Sequence, residues 1–218
     1  MVVALREVPF DPGRTESGRD AWMRAADVTG AAALLLVSFP LLLFGALLVL
    51  LGSGRPVFFG HARVGRNGRG FRCWKLRTMA LDAEARLGRD PELRRRHAEN
   101  GFKLPAAQDP RITREGRWLR RTYIDELPQL VNVLGGSMSL FGPRPVVEEE
   151  LRHYGEHAAE FLSARPGLFG EWTSRGRRRP PYPERARLEL EYVRSRGALR
   201  NVRILLRSIP VVLRGQED

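Results

Sequence analysis

Positions 28–54 carry no charged residue, and nineteen of the twenty-four from 28 to 51 are Ala, Val, Leu or Phe. This run is a membrane element, and the rest of the chain has to be arranged around it. A cleaved secretory leader fits poorly. Its apolar core is about 7 to 15 residues long and lies close to a basic start, whereas here 27 residues come first. Twenty-four helical residues rise about 36 Å, enough for a hydrocarbon core of roughly 30 Å. Pro40, however, sits near the centre, with Ser38 just before it. Proline removes a backbone donor and its ring crowds the carbonyl one turn earlier, and a nearby serine hydroxyl can satisfy a carbonyl freed in this way. The arms on either side, 12 and 11 residues, are too short to span alone at about 1.5 Å per residue. Two geometries follow: a kinked helix that crosses the bilayer, or a re-entrant helix-break-helix that enters one leaflet and returns.

The formal charge of +12 is unevenly placed. Residues 1–27 net −1, so the remainder of the chain carries +13. Seven Lys or Arg stand between positions 55 and 77. Basic residues beside a membrane segment favour the cytoplasmic side, so the main domain is expected there. The single cysteine, Cys73, excludes an intramolecular disulfide framework and a multi-cysteine zinc site. Only Lys75 and Lys103 among the 37 basic residues are lysines. Genome composition produces such a bias as readily as a need for bidentate phosphate contacts does.

Gly52-Ser53-Gly54-Arg55-Pro56 supplies turn chemistry after the apolar run. Val57-Phe58-Phe59 reads as a short strand and 63–70 as a hairpin around Asn67-Gly68. Residues 71–79 read as a second strand with a basic face of Arg72, Lys75 and Arg77. Residues 81–99 suggest a surface helix interrupted at Asp90-Pro91, and 113–122 a helix carrying Arg114, Arg117, Arg120 and Arg121. An amphipathic helix over 125–134 follows, with Asp125 and Glu126 in its first turn, then an acidic helix over 148–163. Residues 202–213 are basic and amphipathic. They are too short to span a bilayer and suit either its interface or a protein core. The chain has no Walker loop, dinucleotide glycine fingerprint or serine-nucleophile elbow.

Acidic residues at a helix start are ordinarily dipole complements, each contributing under about 1 kcal/mol. Asp125-Glu126 differs in its surroundings. Arginines lie upstream, and downstream Phe141-Gly142-Pro143-Arg144-Pro145 fixes one arginine between two prolines. A carboxylate pair in a basic pocket can hold a divalent cation and attack phosphorus, because the arginines neutralise phosphate oxygens that repel an anionic nucleophile. The cluster Arg175-Gly176-Arg177-Arg178-Arg179 suits a polyanion: nucleic acid, anionic headgroups or a diphosphate. His153 and His157, four apart among glutamates, superficially resemble a metal face but lack a third matched ligand.

Taken together, these segments resemble the bacterial sugar transferases, the monotopic polyprenyl-phosphate phosphoglycosyl transferases, over about residues 27–213. The landmarks are Pro56-Val57-Phe58-Phe59, Arg63-Val64-Gly65, Lys75-Leu76-Arg77-Thr78-Met79, Asp109-Pro110-Arg111-Ile112-Thr113, Asp125-Glu126-Leu127-Pro128-Gln129-Leu130 with Asn132-Val133, Met138 through Pro145, and Arg165-Pro166-Gly167. Their order and spacing carry the resemblance. It implies an α+β fold: a cytoplasmic arm over 1–27, a re-entrant membrane helix over 28–54 broken at Ser38 and Pro40, and a domain over 55–218. That domain is expected to be mostly helical, with a small β-hairpin and interfacial amphipathic helices, on the cytoplasmic face of the bacterial inner membrane.

The implied reaction joins two anionic substrates. A UDP-sugar binds with Mg²⁺, Asp125 attacks the sugar-bearing phosphorus, and UMP leaves. Polyprenyl (undecaprenyl) phosphate then takes the phosphosugar from the aspartyl intermediate, the first membrane step of exopolysaccharide, capsule or O-antigen synthesis. Asp125 and Glu126 are the implied Mg²⁺ ligands, with Glu126 alternatively shuttling a proton. Lys75, Arg77, Arg120, Arg144 and Arg177 are the implied phosphate contacts. The implied partners are UDP-sugar, polyprenyl phosphate and membrane lipids, with no nucleic acid; a homodimer is carried as an option. Many longer relatives add an N-terminal membrane domain, so the resemblance is to a minimal catalytic version. Ser137 and Asn201 stand where Asp is frequent, and Glu189 where Asp is preferred. The competing expectation is a non-catalytic anchored protein whose arginines dock anionic lipid or nucleic acid and whose carboxylates only cap a helix.

Overall fold

The computed structural model describes residues 18–99, 104 and 108–215. Helix α1, Gly18–Ser53, contains nearly all of the apolar run and starts ten residues before it. The break expected at Pro40 does not interrupt it; the helix continues through the proline. The carbonyl that loses its helical donor there belongs to Leu36. The Ser38 hydroxyl donates instead to Leu34 O, at 2.6 Å.

Strands β1 (Phe58–Val64) and β2 (Gly70–Leu76) form an antiparallel hairpin. Its turn holds Asn67 and Gly68 at φ of 57° and 76°, the left-handed conformation for which Asn and Gly are suited. The interruption at Asp90-Pro91 separates α2 (Ala83–Arg89) from α3 (Pro91–Glu99). Helix α4 (Arg114–Thr122) begins at Thr113, whose Oγ1 accepts the Gly116 N–H at 3.0 Å, the bond expected of an N-cap.

Two expected helices are divided. The carboxylates lie in a separate 3-10 turn, Ile124–Glu126, and α5 (Gln129–Leu134) starts only afterwards. The acidic segment is a 3-10 stretch, Glu148–His157, turned at Gly155, followed by α6 (Ala158–Leu162). Strands β3 (Ser139–Phe141) and β4 (Gly167–Phe169) form a short parallel pair, and α7 (Glu184–Ser195) and α8 (Ala198–Arg214) complete the order. The architecture is mostly helical with two small sheets.

Helix α1 is the spine of the domain. Ala31 and Leu35 pack with Cys73, Leu130, Val133 and Met138, while Leu42, Ala46 and Val49 pack with Leu76, Leu119 and Ile124. At Gly45 the approach is so close that a Cβ would lie 2.8 Å from both Ile124 and Leu76 side chains. The ends are pinned by polar bonds. Arg24 donates to Val133 O and Leu134 O at 2.6 and 2.8 Å, satisfying carbonyls at the end of α5. Asp27 Oδ1 accepts from Ser139 Oγ at 3.0 Å and Leu140 N–H at 2.9 Å. At the other end Arg77 donates through Nη2 to Ser53 O and Gly54 O, both at 2.7 Å, and through Nε to Pro56 O at 2.7 Å.

The opposite side of α1 is apolar and uncovered: Leu36, Val37 and Leu51 are 78%, 80% and 76% exposed. Helix α8 carries a second uncovered stripe, Leu199, Val202, Leu206, Ile209 and Leu213, spaced to share one helical face. Apolar patches this large on an otherwise polar chain mark contact with membrane or protein. For α1 the length and hydropathy fit a membrane-associated element.

Candidate active site

Asp125 is held in place by the way α4 ends. Tyr123 adopts a left-handed conformation (φ 58°) and terminates α4. The reversed chain then enters the 3-10 turn with Ile124 packed against Val49, Leu76 and Leu119. This turns Asp125 inward, where only 5% of its surface remains exposed. Glu126 follows and meets Lys75 from β2, whose Nζ donates to Glu126 Oε1 at 2.5 Å.

The two carboxylates are electrostatically unequal. Burial raises the Asp125 pKa to about 6, and the Glu126 charge adds to this, while Lys75 and Arg120 pull the other way. For Glu126 burial also acts upward, but Lys75, Arg144 and Arg179 outweigh it and hold the group well below the ordinary carboxylate range. The proton that the pair retains longest therefore sits on Asp125. Near neutral pH Asp125 is a buried anion beside Glu126, which is bonded to Lys75.

Of the residues expected from the sequence, Lys75, Arg120 and Arg144 gather at this pair. Arg120 donates to Thr78 Oγ1 at 2.9 Å and acts on Asp125. Arg144 acts on Glu126 and stacks over Trp172 at 5.8 Å. Arg77 does not belong to the set. At 6% exposure, with its donors spent on the carbonyls closing α1, it is a clasp for that helix, and the expected phosphate contact is set aside. The side chain of Arg177 lies outside the described residues.

Sequence reasoning missed the contribution of Arg179 and Tyr123. Arg179 Nη2 donates to Tyr123 Oη at 3.1 Å, its guanidinium lies 5.3 Å from the Trp172 ring, and its charge reaches Glu126. The only early signal was its membership of the basic cluster. Glu189, one of the departures, is a buried support: it accepts the Arg144 backbone N–H at 3.1 Å and the Tyr154 hydroxyl. Ser137 donates to Asn132 O, and Asn132 accepts Trp74 N–H while donating to Arg72 O, so this departure helps tie α5 to β2. Asn201 accepts from Tyr192 Oη at 2.9 Å.

His153 stacks on Tyr182 at 4.0 Å and His157 lies 3.5 Å from Glu160. Among the described residues no group of three His, Cys, Asp or Glu side chains is placed to hold a metal. The Asp125–Glu126 pair nevertheless suits Mg²⁺, which binds one or two carboxylates and completes its octahedron with water and substrate phosphate oxygens.

A buried Asp125 beside a half-buried Glu126, rimmed by Lys and Arg, sits on a domain built around a half-uncovered apolar helix, as in a membrane-associated protein. The chain belongs to the bacterial sugar transferase family, whose description matches residues 18–215. It is 38% identical to the exopolysaccharide production protein ExoY of Rhizobium meliloti, over 94% of this chain and 91% of that protein. It is 39% identical to the undecaprenyl-phosphate galactose phosphotransferase of Salmonella typhimurium, over 88% of this chain and 40% of that protein. It is 37% identical to the UDP-glucose:undecaprenyl-phosphate glucose-1-phosphate transferase of Caulobacter vibrioides, over 89% of this chain and 70% of that protein. The chain thus spans only 40% of the length of several curated relatives it matches.

Proposed function

We propose that this chain transfers a sugar-1-phosphate from a UDP-sugar to undecaprenyl phosphate, releasing UMP, as an initiating step of exopolysaccharide assembly. The observation that carries this reading is the buried Asp125 beside a Glu126 already neutralised by Lys75. An Asp125 oxygen attacks the sugar-bearing phosphorus. The phosphoanhydride bond breaks, its electron pair leaves on UMP, and a phosphosugar ester of Asp125 forms. A phosphate oxygen of the lipid then attacks the same phosphorus, and Asp125 leaves as a carboxylate. Arg120, Arg144 and Arg179 bind the phosphate oxygens and remove the repulsion between the two anions. Asp125 and Glu126 would hold Mg²⁺, which when bound would supply further charge neutralisation.

Helix α1 is read as re-entrant, with both ends on the cytoplasmic side. Asp27 and Ser53 are 26 residues apart, about 39 Å along a straight helix and more than a hydrocarbon core of ~30 Å. Both ends nevertheless bond to the same domain, through Ser139 and Leu140 at one end and Arg77 at the other. A straight crossing separates those anchors by a membrane. An element lying in one leaflet keeps them together, with the uncovered stripe of α8 beside it in the interface. This geometry also brings a lipid-borne acceptor to a site fed from the cytosol.

The test is UMP release from a panel of UDP-sugars with undecaprenyl phosphate and Mg²⁺. Wild type is expected to turn over at least one donor and Asp125→Asn none. Equal inactivity of both proteins across the panel contradicts the proposal.

A further inference from the structure

Arg144 is held differently from the other arginines near the carboxylate pair. Its backbone N–H donates to Glu189, but its guanidinium makes no hydrogen bond or ion pair among the described residues, and what it lies against is the Trp172 ring, 5.8 Å away. A long side chain with uncommitted donors spreads over many rotamers unless a surface restricts it, and a guanidinium within about 6 Å of an indole ring is drawn to the face of that ring. The same ring lies 5.3 Å from the Arg179 guanidinium and 4.5 Å from that of Arg185. Arg185 is fully committed elsewhere: it is buried and donates to Glu150 at 2.8 Å. Arg179 donates to Gly176 O at 2.8 Å and to Tyr123 Oη at 3.1 Å.

The ring is itself anchored. Its Nε1 donates to Pro180 O at 2.7 Å, which closes the chain back onto the residue that follows Arg179. Its neighbour Glu171, 6% exposed, accepts from Arg200 Nε at 3.2 Å and Arg207 Nη1 at 3.1 Å on α8. The buried Arg185 joins it to α7. Trp172 is thus tied to α7, to α8 and to Pro180, and it offers its ring to the two arginines, Arg144 and Arg179, whose charges reach Glu126.

We infer that Trp172 is a positioning residue, whose anchored indole ring aims Arg144 and Arg179 at the phosphates of the nucleotide donor. The inference rests on the reading of those two arginines as phosphate contacts given above. Trp172 acts through them: with the ring removed, both charges stay in the chain but their directions are lost. A guanidinium grips phosphate through a planar fork whose orientation matters, so phosphate affinity falls although the net charge of the site is unchanged.

The test uses the full chain in detergent micelles, titrated calorimetrically with UDP at a fixed Mg²⁺ concentration. Wild type is expected to bind UDP at least about fivefold more tightly than Trp172→Leu does. Trp172→Phe keeps an aromatic face and loses the bond to Pro180; it is expected to stay within about threefold of wild type. On an Arg144→Gln background the Trp172→Leu change is expected to weaken binding by a factor at least about twofold smaller than it does in wild type, because one of the groups it aims is already gone. Equal affinity of wild type and Trp172→Leu, a Phe variant as weak as the Leu variant, or an undiminished factor on the Arg144→Gln background each overturns the inference, since a merely structural tryptophan gives additive losses and no rescue by a second ring. If Trp172→Leu fails to fold, as judged by circular dichroism, Trp172→Met takes its place with the same expected loss, and unchanged affinity overturns the inference. Failure of wild type to bind UDP removes the nucleotide-donor reading together with the inference, whereas UDP binding that is insensitive to Trp172 removes the inference alone.

Discussion

Asp109 and Asp125 are both buried, at 2% and 5% exposure, yet their chemistry diverges. Asp109 receives Arg111 Nε and Nη2 at 2.8 Å each and the Arg111 backbone N–H at 3.0 Å. Burial acts upward on its pKa, but these bonds outweigh it and hold the group below its usual range. Asp125 has cations acting on it, but the strongest of them, Lys75, is bonded to Glu126. Burial therefore prevails and the pKa rises to about 6. Burial alone does not set a carboxylate's chemistry; how strongly the neighbouring donors and cations offset that burial does.

The largest expected effect comes from removing the buried acid with the raised pKa. Asp125→Asn should lower UMP release by at least ~10³-fold, as loss of a covalent nucleophile does. The same change should raise stability. A carboxyl group whose folded pKa lies above its unfolded value favours folding below the unfolded pKa, and this contribution is lost as pH rises through about 6. At pH 7.5 the charged form therefore costs roughly 3 kcal/mol, and Asn removes that cost. Chemical denaturation read alongside the assay checks both signs.

Asp109→Ala should do the reverse. It strands a buried guanidinium and should cost about 3 to 5 kcal/mol, visible as a lower thermal midpoint. Arg77 belongs with Asp109 as a fully committed group. Arg77→Met leaves the carbonyls that close α1 without their donor and should cost about 2 to 3 kcal/mol, with activity falling only as the folded fraction falls. If Arg77→Met instead raises KM for the UDP-sugar at unchanged stability, Arg77 contacts phosphate after all. The smallest effect is the pH profile. In the free enzyme kcat/KM should fall about tenfold per unit below pH 6, because protonation removes the nucleophile. A profile flat down to pH 5 contradicts the raised Asp125 pKa.

Local chemistry was legible in the sequence. Asn67-Gly68 gave the hairpin turn and Asp90-Pro91 the helix boundary, because each acts within a few residues of itself. The carboxylates and Lys75 were legible through their ordered motifs. Arg77 was not: on a strand it alternates like Lys75, and only carbonyls 21 to 24 residues away decide its use. Arg179 depends on Tyr123, 56 positions distant. The division of 125–134 turned on Tyr123, whose left-handed backbone no periodicity announces. Strands of three residues such as β3 and β4 are too short to show an alternating pattern.

The covalent role of Asp125 is tested most directly by incubating the protein with a UDP-sugar in the absence of any lipid acceptor. A stoichiometric burst of UMP is predicted, with the intact mass increased by one phosphosugar and the addition mapping to the peptide containing Asp125. Full turnover when undecaprenyl phosphate is present, with neither burst nor adduct in its absence, contradicts the account.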